Sequence, residues 1–342
     1  MNDELEKIII RFAEIKDIDK IITFIKEYWK EDHIFVKDRS FFEYIYCTET
    51  DRVNFVIGIG AESEKIYAIR GFICSNLNEH PDAWGAVWKK APYAPRGLGR
   101  ELQLFLIQQL KPRVLVGVSI SKQGLEARKK LNEQGGKLKH YYRLANKDEY
   151  KIAVVTNKTI SPVSREPEYS LIEIPTMQIL KKVFDSLRYL GRRCYKDDWY
   201  IERRYFMYPY YKYRVMGICK DNTEKFDSIL IAREVVHNSE KVLRIIDFIG
   251  LDRDLSGLSY ALDKLIKEDG YEYIDFYQHG ISDDIMKSMG MTIRNENDSN
   301  IIPNYFEPFK QINIDIDYSA TDITDLYVFK GDSDQDRPNI IP

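Results

Sequence analysis

The sequence predicts an α/β (α+β) chain of two domains in tandem, each a mixed, mostly antiparallel sheet flanked by helices. Three observations carry this expectation. The chain has 342 residues, more than twice a common domain of roughly 150 residues. Short apolar runs bounded by turn residues alternate with segments in which apolar residues recur at helical spacing. The order of those segments in the first half recurs in the second, although no residue-level repeat is visible.

Each element follows from its own pattern. Ile8 to Ala13 (IIIRFA) is an apolar strand, after which Asp17 caps a helix whose Ile18, Ile21, Ile22, Ile25 and Trp29 share one face. A short helical stretch near Phe41 to Tyr46 precedes VNFVIGIG (Val53 to Gly60) and KIYAIRGFIC (Lys65 to Cys74), which read as adjacent antiparallel strands. Asp82 to Trp88 adds a strand. The loop Ala91 to Arg100 then enters a helix carrying Leu98, Leu102, Phe105 and Leu106, stopped by Pro112. The strand Arg113 to Ile120, a helix over Gln123 to Gln134, the stop Gly135-Gly136 and the strand Lys137 to Leu144 complete a first domain over residues 1–150.

Between Ala145 and Pro167 the pattern decays into small polar residues and prolines, so 151–168 reads as a linker and 169–342 as the second domain. There a helix with Leu180, Val183, Phe184 and Leu187 leads into the aromatic segment Arg203 to Val215. Strands at Ser228 to Val236 and Val242 to Gly250, a helix at Leu258 to Ile266, a strand at Tyr271 to Tyr277, a helix at Ser282 to Met289 and an extended tail follow.

Composition excludes several classes. The 51 Lys and Arg nearly balance 54 Asp and Glu, for a net charge of −3, so no global field favours a nucleic acid. Apolar stretches fall far short of the roughly 20 residues of a membrane span, and MNDELEK is unlike a signal peptide, which together point to the cytoplasm. Cys47, Cys74, Cys194 and Cys219 form no C-x-x-C pair, so neither a zinc knuckle nor a disulfide framework is indicated. The acidic run Asp332, Asp334, Asp336 fails as a calcium loop because Arg337 stands where glycine is needed. No metal is expected; an internal polar lock using Arg337, or an anion contact by it, is. Aromatic residues reach 13%, and such rings fill cores but also line sites for sugars and bases.

Candidate site residues fall into four groups. Pro95, Arg96, Gly97, Leu98, Gly99 and Arg100 link a strand to a helix, where backbone N–H groups can cradle a pyrophosphate; a tight turn requiring glycine at positive φ is the structural alternative. Neither a G-x-G-x-x-G nor a G-x-x-x-x-G-K-[ST] sequence is present, which counts against nicotinamide and nucleoside triphosphates. His33, beside Asp32, is read at the end of the first helix, facing a cleft or merely complementing the helix dipole. His279 follows the strand carrying Asp275, at the strand end where ligand groups gather. Asn304, Tyr305 and Glu307, held between two prolines, suit sugar hydroxyls, while Arg203, Arg204 and Arg233 are cations able to meet a nucleotide diphosphate.

With these residues in place the chain resembles the GNAT superfamily of acyl-CoA-dependent N-acyltransferases. The resemblance rests on the element order, on Arg96-Gly97-Leu98-Gly99-Arg100, and on Ala127-x-x-x-Leu131-x-x-x-Gly135. It departs from the family at Ala94, where Gln or Arg is usual, and at Leu131, where a tyrosine acid is usual. WKEDHI (Trp29 to Ile34), KLKHYYRL, RIIDFIG, EYIDFYQHGI, IIPNYFEPF and FKGDSDQDRPN are similar to phrases of GNAT-like proteins of surface-polysaccharide and lipopolysaccharide gene clusters. The resemblance implies acetyl-CoA or another acyl-CoA as donor, held by Pro95 to Arg100. It implies an amino sugar, nucleotide-linked or lipid-linked, as acceptor, bound by Arg204, Arg233, Asn304 and Tyr305. The residues themselves put the base at His279, assisted by Asp275 or Glu307, with His33 a further catalytic candidate. Two alternatives remain: a sugar-nucleotide or partner-binding protein without turnover, and an aminoacyl-tRNA-using transferase, which the charge balance disfavours. A homodimer is left open.

Overall fold

The computed structural model describes residues 6–48, 51–163, 168–220 and 225–339. The chain divides into two compact units that are not consecutive in sequence. Unit 1 holds residues 1–134, 319–322 and 337–342, and unit 2 holds 135–318 and 323–336.

In unit 1 the order is β1 (Ile8–Glu14), α1 (Ile18–Tyr28), α2 (Ile34–Lys37), α3 (Arg39–Tyr46), β2 (Arg52–Gly60), β3 (Ile66–Cys74), β4 (Asp82–Lys90), α4 (Leu98–Leu110), β5 (Val114–Val118) and α5 (Lys122–Lys129). Strands β1 to β4 pair antiparallel in sequence order, and β4 pairs parallel with β5. The apolar stripe of α1 is buried at Ile18, Ile21, Phe24 and Ile25. Asp17 does not cap that helix with its side chain. Its carboxylate instead takes the Glu14 N–H at 2.8 Å and both Arg11 guanidinium nitrogens at 2.6 and 3.0 Å. The parallel register of β4 and β5 runs only from Asp82↔Val114 to Gly85↔Gly117, and β4 continues to Lys90 paired with β3 on its other side.

After β6 (Gln134–Lys137), unit 2 contains β7 (Lys139–Leu144), β8 (Ser170–Glu173), α6 (Met177–Val183), α7 (Asp198–Ile201), β9 (Arg214–Cys219), β10 (Ser228–His237) and β11 (Glu240–Ile249). Next come α8 (Asp252–Leu255), α9 (Ser259–Asp269), β12 (Tyr271–His279), α10 (Asp283–Ser288), β13 (Thr292–Ile293), β14 (Tyr305–Phe306), β15 (Phe309–Lys310) and, after β16 (Asp317–Ala320), β17 (Val328–Phe329); β16 and β6 extend the first sheet, in the order β1-β2-β3-β4-β5-β16-β6. The order of the second sheet is β13-β7-β12-β11-β10-β9-β8, with β11 and β12 parallel and the other neighbours antiparallel. Leu255, Leu258, Leu262 and Ile266 pack on Leu230, Leu243, Ile245, Ile274 and Phe276 to form the main core. Beyond Ile245↔Phe276 the two parallel strands are bridged by the tail. β17 pairs with Gln278 and His279 of β12, and the Gly331 N–H donates to the Ile246 carbonyl of β11.

Two organisational expectations change. The strand expected to finish the first domain, β7, belongs to the second sheet, where Lys139 to Leu144 face Gln278 to Tyr273. Its alternation specifies a strand, but nothing local in it specifies the partner. The units part at Gln134 and Gly135, ahead of the expected 151–168 linker. The stretch after Ala145 is docked rather than loose. The buried Glu272 carboxylate accepts N–H bonds from Lys151, Ile152 and Ala153 at 2.7–2.9 Å, and Val154 bridges Ile301. Residues 164–167 of that segment lie outside the described residues. All four cysteines are free thiols.

Candidate functional site

In unit 1 the structure places Pro95 to Arg100 at the entrance to α4, as the sequence indicated. Gly97 is the helix N-cap at φ +96°, a conformation that a side chain disfavours, and no side chain caps the first N–H groups of this thirteen-residue helix. Arg96 and Arg100 are exposed, and neither guanidinium has an ion pair among the described residues. Gly99 serves a different end. The Trp88 indole N–H donates to its carbonyl at 3.2 Å, and a Cβ there would lie 3.3 Å from the same nitrogen. That close approach fixes the first turn of α4 against β4.

Under α4 lies a buried polar chain that sequence reading missed. Arg70 donates to Gln103 of α4 at 2.7 Å, Gln103 to Glu133 at 3.0 Å, and Arg128 to Glu133 at 2.6 Å, with the Ser319 hydroxyl also on Glu133. The guanidinium groups of Arg70 and Arg128 occupy the space that side chains at Gly85 and Gly117 would need, and both lie against Trp88, at 5.0 and 5.7 Å. The only sequence signal was two glycines in apolar strands, and these leave room for large groups from elsewhere. The chain holds α4 rigidly, so the N–H groups at its start keep their direction.

In unit 2 the expected residues separate. Asp275 is fully buried and forms a fork with Arg244 at 3.0 and 3.1 Å, while His140 Nε2 lies 3.4 Å from its Oδ2. Burial pushes the Asp275 carboxyl up, but Arg244 and His140 outweigh it, and the net pKa lies below the ordinary carboxylate value. Burial drives His140 the other way, down to about 4. The neutral ring accepts from Arg294 at Nδ1 and stacks on Tyr277 at 3.8 Å. Asp275 therefore does not assist His279, four residues along the same strand and roughly 13 Å away. The half-buried His279 ring instead meets the Tyr318 hydroxyl at 3.0–3.1 Å. Burial, then Lys139, hold its pKa below the usual imidazole value. Glu307 sits in the turn between β14 and β15 and accepts from Tyr211 at 2.8 Å.

The arginines expected to be spare are engaged. Arg233 forks onto Asp336 at 2.8 and 3.0 Å. Arg204 is buried, donating to the carbonyls of Gly331 and Asp336 and to the Tyr213 hydroxyl. Asp332 is held by Lys196 at 2.7 Å. The acidic run is thus an internal lock, as expected, with Lys196 and Arg233 among its cations. Arg337, the expected one, lies over the Phe35 ring at 5.3 Å. Sequence distance hid these partners. Asn304 offers its main-chain carbonyl to Arg244 at 2.8 Å, and Tyr305 lies under the Lys310 ammonium at 5.3 Å. Among the described residues no group of three or more His, Cys, Asp or Glu side chains could hold a metal ion, and no helix is long and apolar enough to cross a membrane. A cavity of about 260 Å³ lined by Arg143, Lys147, Asp263 and Tyr271 contains none of the expected residues.

The architecture has relatives among solved structures. A GCN5-related N-acetyltransferase from Anabaena variabilis ATCC 29413 superposes with a TM-score of 0.57 at 11% identity, over 92% of this chain and 72% of that one. A conserved protein of unknown function from Enterococcus faecalis V583, described as a candidate N-acyltransferase, superposes with a TM-score of 0.58 at 10% identity over the same shares. This chain shares the GCN5-related N-acetyltransferase fold. No family model matches the sequence, and no curated protein matches it. In this GNAT fold the α4 entrance of unit 1 keeps an open, uncapped helix start. The corresponding turn of unit 2, between β11 and α9, is filled, because a Cβ at Gly257 would lie 2.0 Å from the Tyr169 ring.

His33 is not at the end of the first helix. It is the N-cap of α2, its Nδ1 accepting from the Phe35 N–H at 3.2 Å and its ring stacked on Trp29 at 4.6 Å. These contacts serve the local structure. His33→Ala is expected to lower stability by about 1–2 kcal/mol through loss of cap and stacking, with ligand binding unchanged. Denaturant midpoints check the first part and calorimetry the second.

Proposed function

We propose that the protein is an acyl-CoA-dependent N-acyltransferase. Its donor's diphosphate is held by Pro95 to Arg100 of unit 1, and its acceptor is an amino sugar, nucleotide-linked or lipid-linked, of surface-polysaccharide biosynthesis. The observation that carries this reading is the start of α4, where an uncapped helix N-terminus, Gly97 at positive φ and two exposed arginines stand together in a chain with the GNAT fold. Helix N-termini favour phosphate because their N–H groups and dipole point at it. The acceptor nature rests on the sequence resemblance. The donor is an acetyl or longer acyl thioester.

For transfer the acceptor nitrogen must be neutral, and its attack on the thioester carbonyl passes a proton to a base while the CoA thiolate leaves. His279 is the base we assign. Its pKa lies below the ordinary 6.5, so the ring is neutral at pH 7 and can take the proton, and Tyr318 orients it. Asn304, Tyr305 and Glu307 supply polar groups for sugar hydroxyls.

The donor assignment is tested by Arg96→Ala with Arg100→Ala. Both side chains are exposed, so the fold should be intact while acyl-CoA affinity falls at least about tenfold, roughly 1.4 kcal/mol. Equal affinity by calorimetry would remove the loop from the mechanism. The base is tested by following CoA thiol release against pH. The rate should hold through neutrality and fall as pH drops through a value below 6.5, and His279→Ala should cost at least about tenfold and abolish that acid limb. An unchanged limb in the variant assigns the base elsewhere.

A further inference from the structure

Arg143, in β7, is 2% exposed, and its guanidinium is only half used. Nη1 donates to the Gly290 carbonyl at 3.0 Å and reaches the Ser259 hydroxyl at 3.4 Å. The opposite edge, Nε and Nη2, makes no hydrogen bond among the described residues. The carboxylate beside it, Asp263, has Oδ1 at 3.6 Å from Nη2, beyond hydrogen-bond distance, and its other oxygen holds Lys267 at 2.6 Å. Elsewhere in unit 2 this edge is occupied. Arg244 and Arg233 each set Nε and Nη2 on the two oxygens of an aspartate, Asp275 and Asp336 respectively. Burial lowers the Arg143 pKa more than Asp263 restores it, as it does for a cation short of a counterion.

Arg143 borders a space that can supply the missing partner. The cavity of about 260 Å³ has Arg143, Lys147 and Lys267 in its wall against the single carboxylate of Asp263, and the rest of the wall is mostly apolar. Neither Nε nor Nη2 is sealed, since the fully enclosed, partnerless side-chain atoms of the described residues lie elsewhere. Every lining residue belongs to unit 2. The cavity lies at the start of β12, where Tyr271 lines it, eight residues and roughly 26 Å along the strand from His279.

We infer that this cavity binds a small monocarboxylate with an apolar body, its two oxygens on the Nε and Nη2 edge of Arg143 and its body against Leu144, Ile160 and Ile266. Two parallel N–H donors match a planar carboxylate, and the apolar wall favours a hydrocarbon over water. The volume falls just short of the roughly 300–1,000 Å³ of pockets for drug-sized molecules, which keeps the ligand small. Lys147 and Ile160 come from the stretch after β7, and Asp263 and Ile266 from α9, so the ligand ties that stretch to the helix. The site goes beyond the acyl-transfer reading and does not depend on it, because binding here requires neither donor nor base.

The experiment is calorimetry on the full chain at pH 7 with hexanoate, benzoate, hexanamide and inorganic phosphate. Hexanoate, benzoate or both should bind with a Kd below about 1 mM, and which one binds tells an aliphatic from an aromatic body. Hexanamide has a body without the charge and phosphate a charge without the body, so each should bind at least about tenfold more weakly. Arg143→Lys keeps the charge but loses the fork and should weaken the carboxylate at least about tenfold. Ile160 is 39% exposed, so Ile160→Trp can fill the cavity without disturbing a core. It should weaken the carboxylate by a similar factor with the thermal midpoint of the free protein unchanged, and it carries the test if Arg143→Lys does not fold. No carboxylate binding below about 1 mM, hexanamide or phosphate binding as tightly as the carboxylates, or unchanged affinity in either folded variant would each overturn the proposal.

Discussion

Replacing Asp275 with asparagine should destabilise unit 2 by about 3–5 kcal/mol, the usual cost of leaving one partner of a buried ion pair uncompensated. Arg244 is 2% exposed and cannot reach water when its counterion is gone. His140 loses the carboxylate beside its Nε2 as well. The amide keeps the shape of the carboxylate, so the loss reports charge rather than a cavity. Substituting both partners, Arg244→Met with Asp275→Leu, should recover part of it, because no charge is then buried alone. The pH dependence carries the same sign. The folded Asp275 pKa lies below the ordinary 3.8, so its contribution is complete above that value and is lost only as pH falls through the folded one. Chemical denaturation at pH 7 and pH 3 checks this. A variant as stable as the wild type at pH 7 would show that the pair contributes nothing to the fold.

Lys330→Met should do the reverse and stabilise the protein. The folded amine has a pKa of about 7 against an ordinary 10.5. Between those values the unfolded chain holds a proton that the folded one has released, so wild-type stability rises with pH across that window. Below pH 7 both states are protonated and the folded protein carries the full penalty of a buried ammonium, on the order of 5 kcal/mol. Methionine fills a similar volume without the charge. The variant should therefore gain most at pH 6 and gain little by pH 10, as read from thermal midpoints. A loss of stability at pH 6 would mean that the ammonium has a structural partner.

Much of the fold was legible one segment at a time. The apolar runs of β1, β2, β3, β10, β11 and β12 and the spaced leucines and isoleucines of α1, α4 and α9 are local patterns, and local backbone preference realises them. The loop at Arg96 to Arg100 was legible for the same reason, because a glycine at positive φ between strand and helix is a property of a few consecutive residues. The capping role of His33 was within reach too, as it precedes the short helical run Ile34 to Lys37, but the longer helix before it drew the assignment.

What the sequence determined by itself was thus the set of elements and the position of the glycine-led start of α4. The tertiary structure alone decided which strand β7 joins and which charge meets which. Arg244 and Asp275 are 31 residues apart, Lys196 and Asp247 are 51 apart, and Arg233 and Asp336 are 103 apart. A charged side chain in a sequence carries no mark of burial. Its partner, its pKa and its exposure follow from groups that only the assembled sheet brings within a few ångströms, and this is why Arg204 and Arg233 read as free cations while Lys330, buried beside the Tyr277 ring, was not singled out at all.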